Sequence, residues 1–275
     1  MVPLGILFAA SFVSVGSEIV AVRRSLLLGS ILGILAGIVL WRAGMSLVWL
    51  GAVLVASGLP LVWALLVPGA QGLGPVLTRF QTERREVWLT IDDGPDPEDT
   101  PRVLEVLARH GAHATFFVVG ERVARHVPLV QEIVRRGHEV AHHTHTHPEA
   151  TFWLASSARV ERELDSTLAV LRPIGVVPRW FRAPVGIKNL FLWTATASRG
   201  MRVVGWTVRS WDSVARDPEA VAKSVLKRVR PGSILLFHEG PRLRPAVRVA
   251  ALDRTLAALA KAGYTCVRPA PGDLR

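Results

Sequence analysis

Before Arg79 the chain carries only four charged side chains, Glu18, Arg23, Arg24 and Arg42. That is the composition of membrane segments rather than of a solvated domain. Two apolar stretches stand out, residues 26–41 (LLLGSILGILAGIVLW) and 45–67 (MSLVWLGAVLVASGLPLVWALLV). The second is long enough for a hydrocarbon core that needs roughly 20 residues, and the first is slightly short. Residues 3–22 are a third candidate, weakened by Glu18 and several serines. A cleaved signal peptide fits poorly, because no basic region precedes the first apolar run and two more runs follow it. Residues 1–67 are therefore predicted to be a membrane anchor of two or three transmembrane helices, with Trp41, Trp49 and Trp63 where interfacial aromatics often sit.

The formal net charge is +11; three arginines and one glutamate before Arg79 account for +2, which leaves +9 for the remainder. A basic domain beside a membrane points to anionic lipid headgroups or an anionic envelope polymer, or simply to an arginine-rich solvated surface. No interleaved basic and aromatic motif suggests nucleic acid. The single cysteine, Cys266, excludes an intrachain disulfide and reads as a small buried hydrophobe in the strand-like YTCVR.

Residues 68–75 (PGAQGLGP) are rich in glycine and proline, and 68–85 reads as a linker. From residue 86 to 275 a regular pattern takes over. Short apolar, β-branched or aromatic runs (VWLTI, ATFFVV, HEVA, RWFRA, MRVVGW, SILLF, YTCV) alternate with segments of helical period at 101–110, 121–136, 156–171, 189–199, 218–229 and 245–262. Seven strand-like runs, each but the last followed by a helix, predict a parallel sheet with crossover helices, closed or nearly closed into a distorted (β/α) barrel. Catalytic side chains of such a barrel gather at the C-terminal ends of its strands.

The first run ends in Asp92 and Asp93, where Gly94 and Pro95 turn the chain and can aim both carboxylates across one rim. One carboxylate can then hold a cation while its neighbour accepts a proton. The third run ends in five histidines, His138, His142, His143, His145 and His147. His138 and His142 share a spacing of four with His143 and His147, but 139–141 reads as strand, where residues four apart are about 13 Å from each other. A helical turn after Ala141 would put His143 and His147 on one face. Their two nitrogens and an Asp93 oxygen make three ligands with an open position, the pattern of a catalytic rather than a structural metal site.

In this order, TIDDGPD, HHTHTHP, FRAPVG, GWTVRSWDS and SILLFHE resemble the five motifs of the NodB-type polysaccharide deacetylases, carbohydrate esterase family 4, over residues 86 to about 268. The resemblance implies a distorted (β/α) barrel of about seven strands and one divalent metal ion, zinc first, with cobalt, manganese or nickel as alternatives. It makes Asp93, His143 and His147 the ligands, Asp92 the catalytic base and His238 the general acid. Arg182 matches the arginine that pairs with the base, and Asp212 the aspartate that orientates the acid. Pro184, Val185, Trp206 and Leu236 fall at substrate positions, three of them as walls for the acyl methyl. Val185 departs from the usual tyrosine or tryptophan, Arg209 stands where an acidic residue is frequent, and Ser213 replaces a tryptophan.

The function this implies is metal-dependent hydrolysis of N-acetyl groups on amino sugars of an envelope polysaccharide such as peptidoglycan or a chitin-like polymer. An N-acyl or N-formyl lipid-linked sugar is an alternative substrate, and a non-catalytic carbohydrate-binding barrel an alternative class. The expected partners are the N-acylated carbohydrate and membrane lipid, with no nucleic acid and no expectation for oligomeric state. The catalytic domain of this integral membrane protein is expected on the extracytoplasmic face, although the charge pattern is ambiguous and leans the other way.

Overall fold

The structure, a computed structural model, describes residues 24–240, 245–269 and 273–274. Helices α1 (Arg24–Arg42) and α2 (Leu47–Leu66) have mean hydropathies of 1.9 and 2.0 and are almost wholly exposed, so both are long and apolar enough to cross a membrane by length and composition. The third candidate segment, 3–22, lies outside the described residues. Small residues let the two helices touch. A side chain at Gly33 would collide with Ser57, and the Ser30 hydroxyl donates to the Ser57 carbonyl at 2.9 Å. Small residues at helix contacts are how apolar helices approach when no hydrophobic contrast drives them together.

The remainder is a curled parallel sheet surrounded by helices. Its strands are β1 (Glu86–Asp92), β2 (Ala114–Val118), β3 (Glu139–His142), β4 (Trp180–Phe181), β5 (Arg202–Val203), β6 (Val208–Arg209), β7 (Ser233–His238) and β8 (Thr265–Cys266). Seven of them run in the order β5-β4-β3-β2-β1-β7-β6, with the short β8 paired to β1. Between them lie α3 (Asp99–Arg109), α4 (Gly120–Arg125), α5 (Val127–Arg135), α6 (Ser157–Leu171), α7 (Leu192–Ala197), α8 (Pro218–Arg228) and α9 (Pro245–Lys261). This is the distorted, incompletely closed barrel that the alternation predicts.

Two segments differ from the expected pattern. The helical stretch 121–136 is two helices, because Pro128 lies in the first turn of α5 and restarts the chain after His126. The run MRVVGW continues into two short strands that sit at opposite edges of the sheet. Only residues 204–207 join β5 to β6, so the sheet must curl until its edges nearly meet. Part of the gap is filled by the stretch that reads as a linker. Leu77 donates to Val203 and accepts from Gly205, Phe80 donates to Gly232, and Ala70, Leu73, Val76, Leu77 and Phe80 are all buried.

Strand alternation divides the core. Val87, Leu89 and Ile91 pack outward with Leu104, Leu107, Leu252 and Leu256 under the helices, while Trp88 points inward with Phe117, Trp180 and Ile234. Trp88 and Trp180 meet edge to face at 5.4 Å, and the Trp88 indole N–H donates to Thr115 Oγ1 at 2.8 Å. By the same period Thr90 and Asp92 follow Trp88 on the inner face. Parallel register then sets Asp92 beside His238 on β7, and His142 beside Phe181 on β4. The chemically active ends of β1, β3, β4 and β7 thus share one rim.

Candidate active site

Among the described residues five that are not glycine have left-handed backbone, namely Asp93, Thr144, His147, Val185 and Trp211, with φ between 48° and 72°. All belong to loops that leave strand ends at this rim. Such conformations are costly for residues with a Cβ and persist where surrounding structure enforces them. At Asp93 the reversal returns the carboxylate to the rim beside Asp92, although strand alternation would send it to the opposite face. The expected helical turn at His143 is absent; left-handed Thr144 and His147 fold the loop instead.

The outcome brings three ligand atoms together. Asp93 Oδ1 lies 3.3 Å from His143 Nε2 and 3.1 Å from His147 Nε2, and the two nitrogens are 3.2 Å apart. A tetrahedral ion with bonds of about 2.0–2.1 Å separates its ligands by about 3.3 Å, so the triad fits a small divalent metal. His143 Nδ1 donates to the Arg182 carbonyl at 2.8 Å, and His147 Nδ1 faces Glu149 Oε1 at 3.1 Å, which leaves both Nε2 atoms for the ion. Burial pushes the Asp93 carboxyl up, but the hydrogen-bonded imidazoles of His143 and His147 outweigh it and hold the group well below its ordinary range. Burial pulls the His147 imidazole down, more than Asp93 restores. An ionised carboxylate and a neutral imidazole are the forms that bind metal.

Asp92 stands beside this triad without joining it, its Oδ2 3.7 Å from His143 Nε2. It is 3% exposed, and Arg182, 1% exposed, donates from Nη1 to Asp92 Oδ1 at 2.6 Å. The guanidinium is held in turn by Thr90 Oγ1 at 2.8 Å, Gly205 O at 2.7 Å and Val204 O at 3.3 Å, and it stacks 4.1 Å over the Phe117 ring. Arg182 thus occupies Asp92 Oδ1 and leaves Oδ2 on the side of the triad. On β7, His238 Nδ1 faces Asp212 Oδ1 at 2.8 Å, while the His238 backbone N–H donates to Asp212 Oδ2 at 2.8 Å and Ser210 Oγ donates to Oδ1 at 2.7 Å. Burial lowers the His238 pKa, but the Asp212 carboxylate more than reverses this, and the net shift is upward.

One cavity is lined by Asp92, Asp93, His143, His147, His238, Val185, Trp206 and Leu236, together with Arg209 and Ser213. Pro184 does not line it. Buried at the start of a one-turn helix, Pro184 sets the left-handed Val185 whose side chain faces the cavity instead. The other histidines stay outside. His142 donates from Nε2 to Leu164 O and accepts from Thr144 N–H at Nδ1, and burial pushes its pKa down to about 3. His138 meets the His113 ring edge to face and the Phe116 ring at a tilt.

Sequence reasoning missed Glu163. Its Oε2 accepts from the backbone N–H groups of His145 and Thr146 at 2.8 and 2.9 Å, and its Oε1 accepts from Thr146 Oγ1 at 2.7 Å, so it fixes the loop between His143 and His147. The available signal was positional, since Glu163 lies on the buried stripe of α6 with Val160, Leu164, Thr167 and Leu171. Glu163→Ala is expected to weaken metal affinity by about 10–100-fold, with Glu163→Gln recovering most of it because an amide can still accept from both N–H groups. Titration of the metal-free variants with zinc measures this, and wild-type affinity in Glu163→Ala would exclude the positioning role.

A buried carboxylate–arginine pair beside three residues that could hold a metal ion, with a carboxylate-backed histidine on the adjacent strand, is an arrangement suited to metal-assisted hydrolysis. The polysaccharide deacetylase family model matches residues 80–204. The chain is 40% identical over 158 residues to a chitooligosaccharide deacetylase of Bradyrhizobium, covering 57% of this chain and 71% of that protein. It is 33% identical over 199 residues to a peptidoglycan-N-acetylglucosamine deacetylase of Bacillus cereus, covering 70% and 91%. The structure of a family 4 carbohydrate esterase from Streptomyces lividans in complex with acetate superposes with a TM-score of 0.62 at 32% identity, covering 69% of this chain and 95% of that one. The chain belongs to the polysaccharide deacetylase family, hydrolases of N-acetyl amide bonds.

Proposed function

We propose that this protein removes N-acetyl groups from amino sugars of cell-envelope glycan, using one zinc ion held by Asp93, His143 and His147, with cobalt, manganese or nickel as substitutes. The carrying observation is the position of Asp92, locked by Arg182 next to the triad, in a cavity that it lines together with His238 from the adjacent strand. A divalent metal bound there supplies Lewis-acid polarisation of the amide carbonyl and lowers the pKa of water. Asp92, aimed by Arg182, takes the proton from the attacking water through Oδ2. His238 donates from Nε2 to the departing amine, and Asp212 on Nδ1 stabilises the imidazolium. Trp206, Leu236 and Val185 form an apolar wall against which an acetyl methyl fits and water is excluded.

The two apolar helices anchor the catalytic domain to a membrane, with the domain on the extracytoplasmic side where envelope glycan lies. Acetate and free amine released in equal amounts from an N-acetylglucosamine oligomer test the reaction, and acetate released instead from an O-acetylated glycan that lacks N-acetyl groups would indicate an esterase. The pH profile tests His238. As the acid it must be protonated, so activity falls as pH rises through its raised pKa. Asp212→Asn removes the charge that raises it, and the alkaline limb should move to lower pH. An unmoved limb would exclude His238 as the titrating acid.

A further inference from the structure

The end of α2 packs behind the wall of the active-site cavity. Lys188 N–H donates to Leu65 O at 2.9 Å, and Lys188 Nζ donates to the carbonyls of Val67 and Pro68. Lys188 is 1% exposed, and burial pulls its pKa down to about 8. A side chain at Gly186 would strike both the Pro68 ring and the Trp206 indole, so Gly186 fills the space between the anchor and a residue of the cavity. Ala64 and Leu65 share a core with Phe152, Leu192 and Trp193 of the barrel. Val185, which lines the cavity, is three residues from Lys188, a span of at most about 10 Å. The headgroup layer beyond the hydrocarbon is about 5–7 Å deep on each side. The cavity is therefore joined rigidly to the membrane end of α2 rather than carried on a free tether.

A second observation concerns charge. Arg209 lines the cavity, lies 4.2 Å over the Trp211 ring, and has no carboxylate partner among the described residues; its Nε is buried without a hydrogen bond. Metal, Asp92 and His238 account for the chemistry of the amide, and none of them uses this guanidinium. A planar cation with unused donors beside a sugar site matches a phosphate oxygen of the substrate.

We propose that the substrate is an N-acetylated amino sugar joined through phosphate to a membrane lipid, deacetylated at the bilayer surface. This rests on the deacetylase reading above and narrows its substrate. The full chain, zinc-loaded in phosphatidylcholine vesicles, is assayed for acetate release from three probes: polyprenyl-phosphate-linked N-acetylglucosamine in the same vesicles, water-soluble N-acetylglucosamine 1-phosphate, and chitotetraose. The expected kcat/KM falls in that order, by about tenfold at each step, one charge-assisted contact being worth about that much. Arg209→Met should bring the ratio of soluble phosphate to chitotetraose within about threefold. Equal rates on the lipid-linked and soluble phosphates overturn the membrane-surface part. Preference for chitotetraose, or an unchanged ratio in Arg209→Met, overturns the phosphate part. Absence of acetate from all three overturns the deacetylase reading itself.

Discussion

Asp92→Asn is expected to lower acetate release by about 10³-fold while the protein still binds one metal ion. Asparagine preserves the shape of the side chain and can still accept from Arg182, but an amide oxygen cannot take a proton from water. The three ligand atoms belong to other residues, with Asp92 Oδ2 3.7 Å from the nearest of them. The variant should also melt lower, because it leaves the buried Arg182 without its counter-charge. Acetate assay and metal analysis on one preparation separate these effects. Hydrolysis at the wild-type rate would remove Asp92 from the base role, and loss of the metal would place it among the ligands.

His143→Ala should abolish activity by the other route. His143 Nε2 lies within 3.3 Å of both other ligand atoms, so its loss leaves a two-ligand site that does not hold a catalytic ion at ordinary concentrations. It also deprives the Arg182 carbonyl of a donor, at a cost of about 1–3 kcal/mol in stability. Metal stoichiometry near zero is the expected result, and full stoichiometry would show that the ion binds elsewhere. The two variants are complementary: one keeps the metal and loses the base, and the other keeps the base and loses the metal.

Much of this arrangement could be read before any coordinates. The β/α alternation predicts a curled parallel sheet, and period-two patterning on VWLTID sends Trp88, Thr90 and Asp92 to the interior. What the periodicity hides is long-range. MRVVGW reads as one strand, yet it supplies only β5, paired with β4, while the next residues form a second strand that pairs with β7 at the opposite sheet edge, a choice made by partners that local pattern does not contain. The histidine loop shows a similar limit. Spacing of four is compatible with a helical turn, but the turn is replaced by left-handed Thr144 and His147, held through Glu163 from a helix some 17 residues further on. The contact between α2 and Lys188 is equally invisible, because a lysine in an apolar stretch does not say whose carbonyls it will meet.

Stepwise addition of zinc to the metal-free full chain, with bound metal and acetate release from N-acetylglucosamine oligomers followed together, shows whether hydrolysis depends on one ion at Asp93, His143 and His147. Activity is predicted to rise in proportion to occupancy and to level at one ion per chain, while Asp92→Asn fills to the same stoichiometry and stays inactive. Deacetylation by the metal-free chain, or zinc bound in full by His143→Ala, would contradict the account.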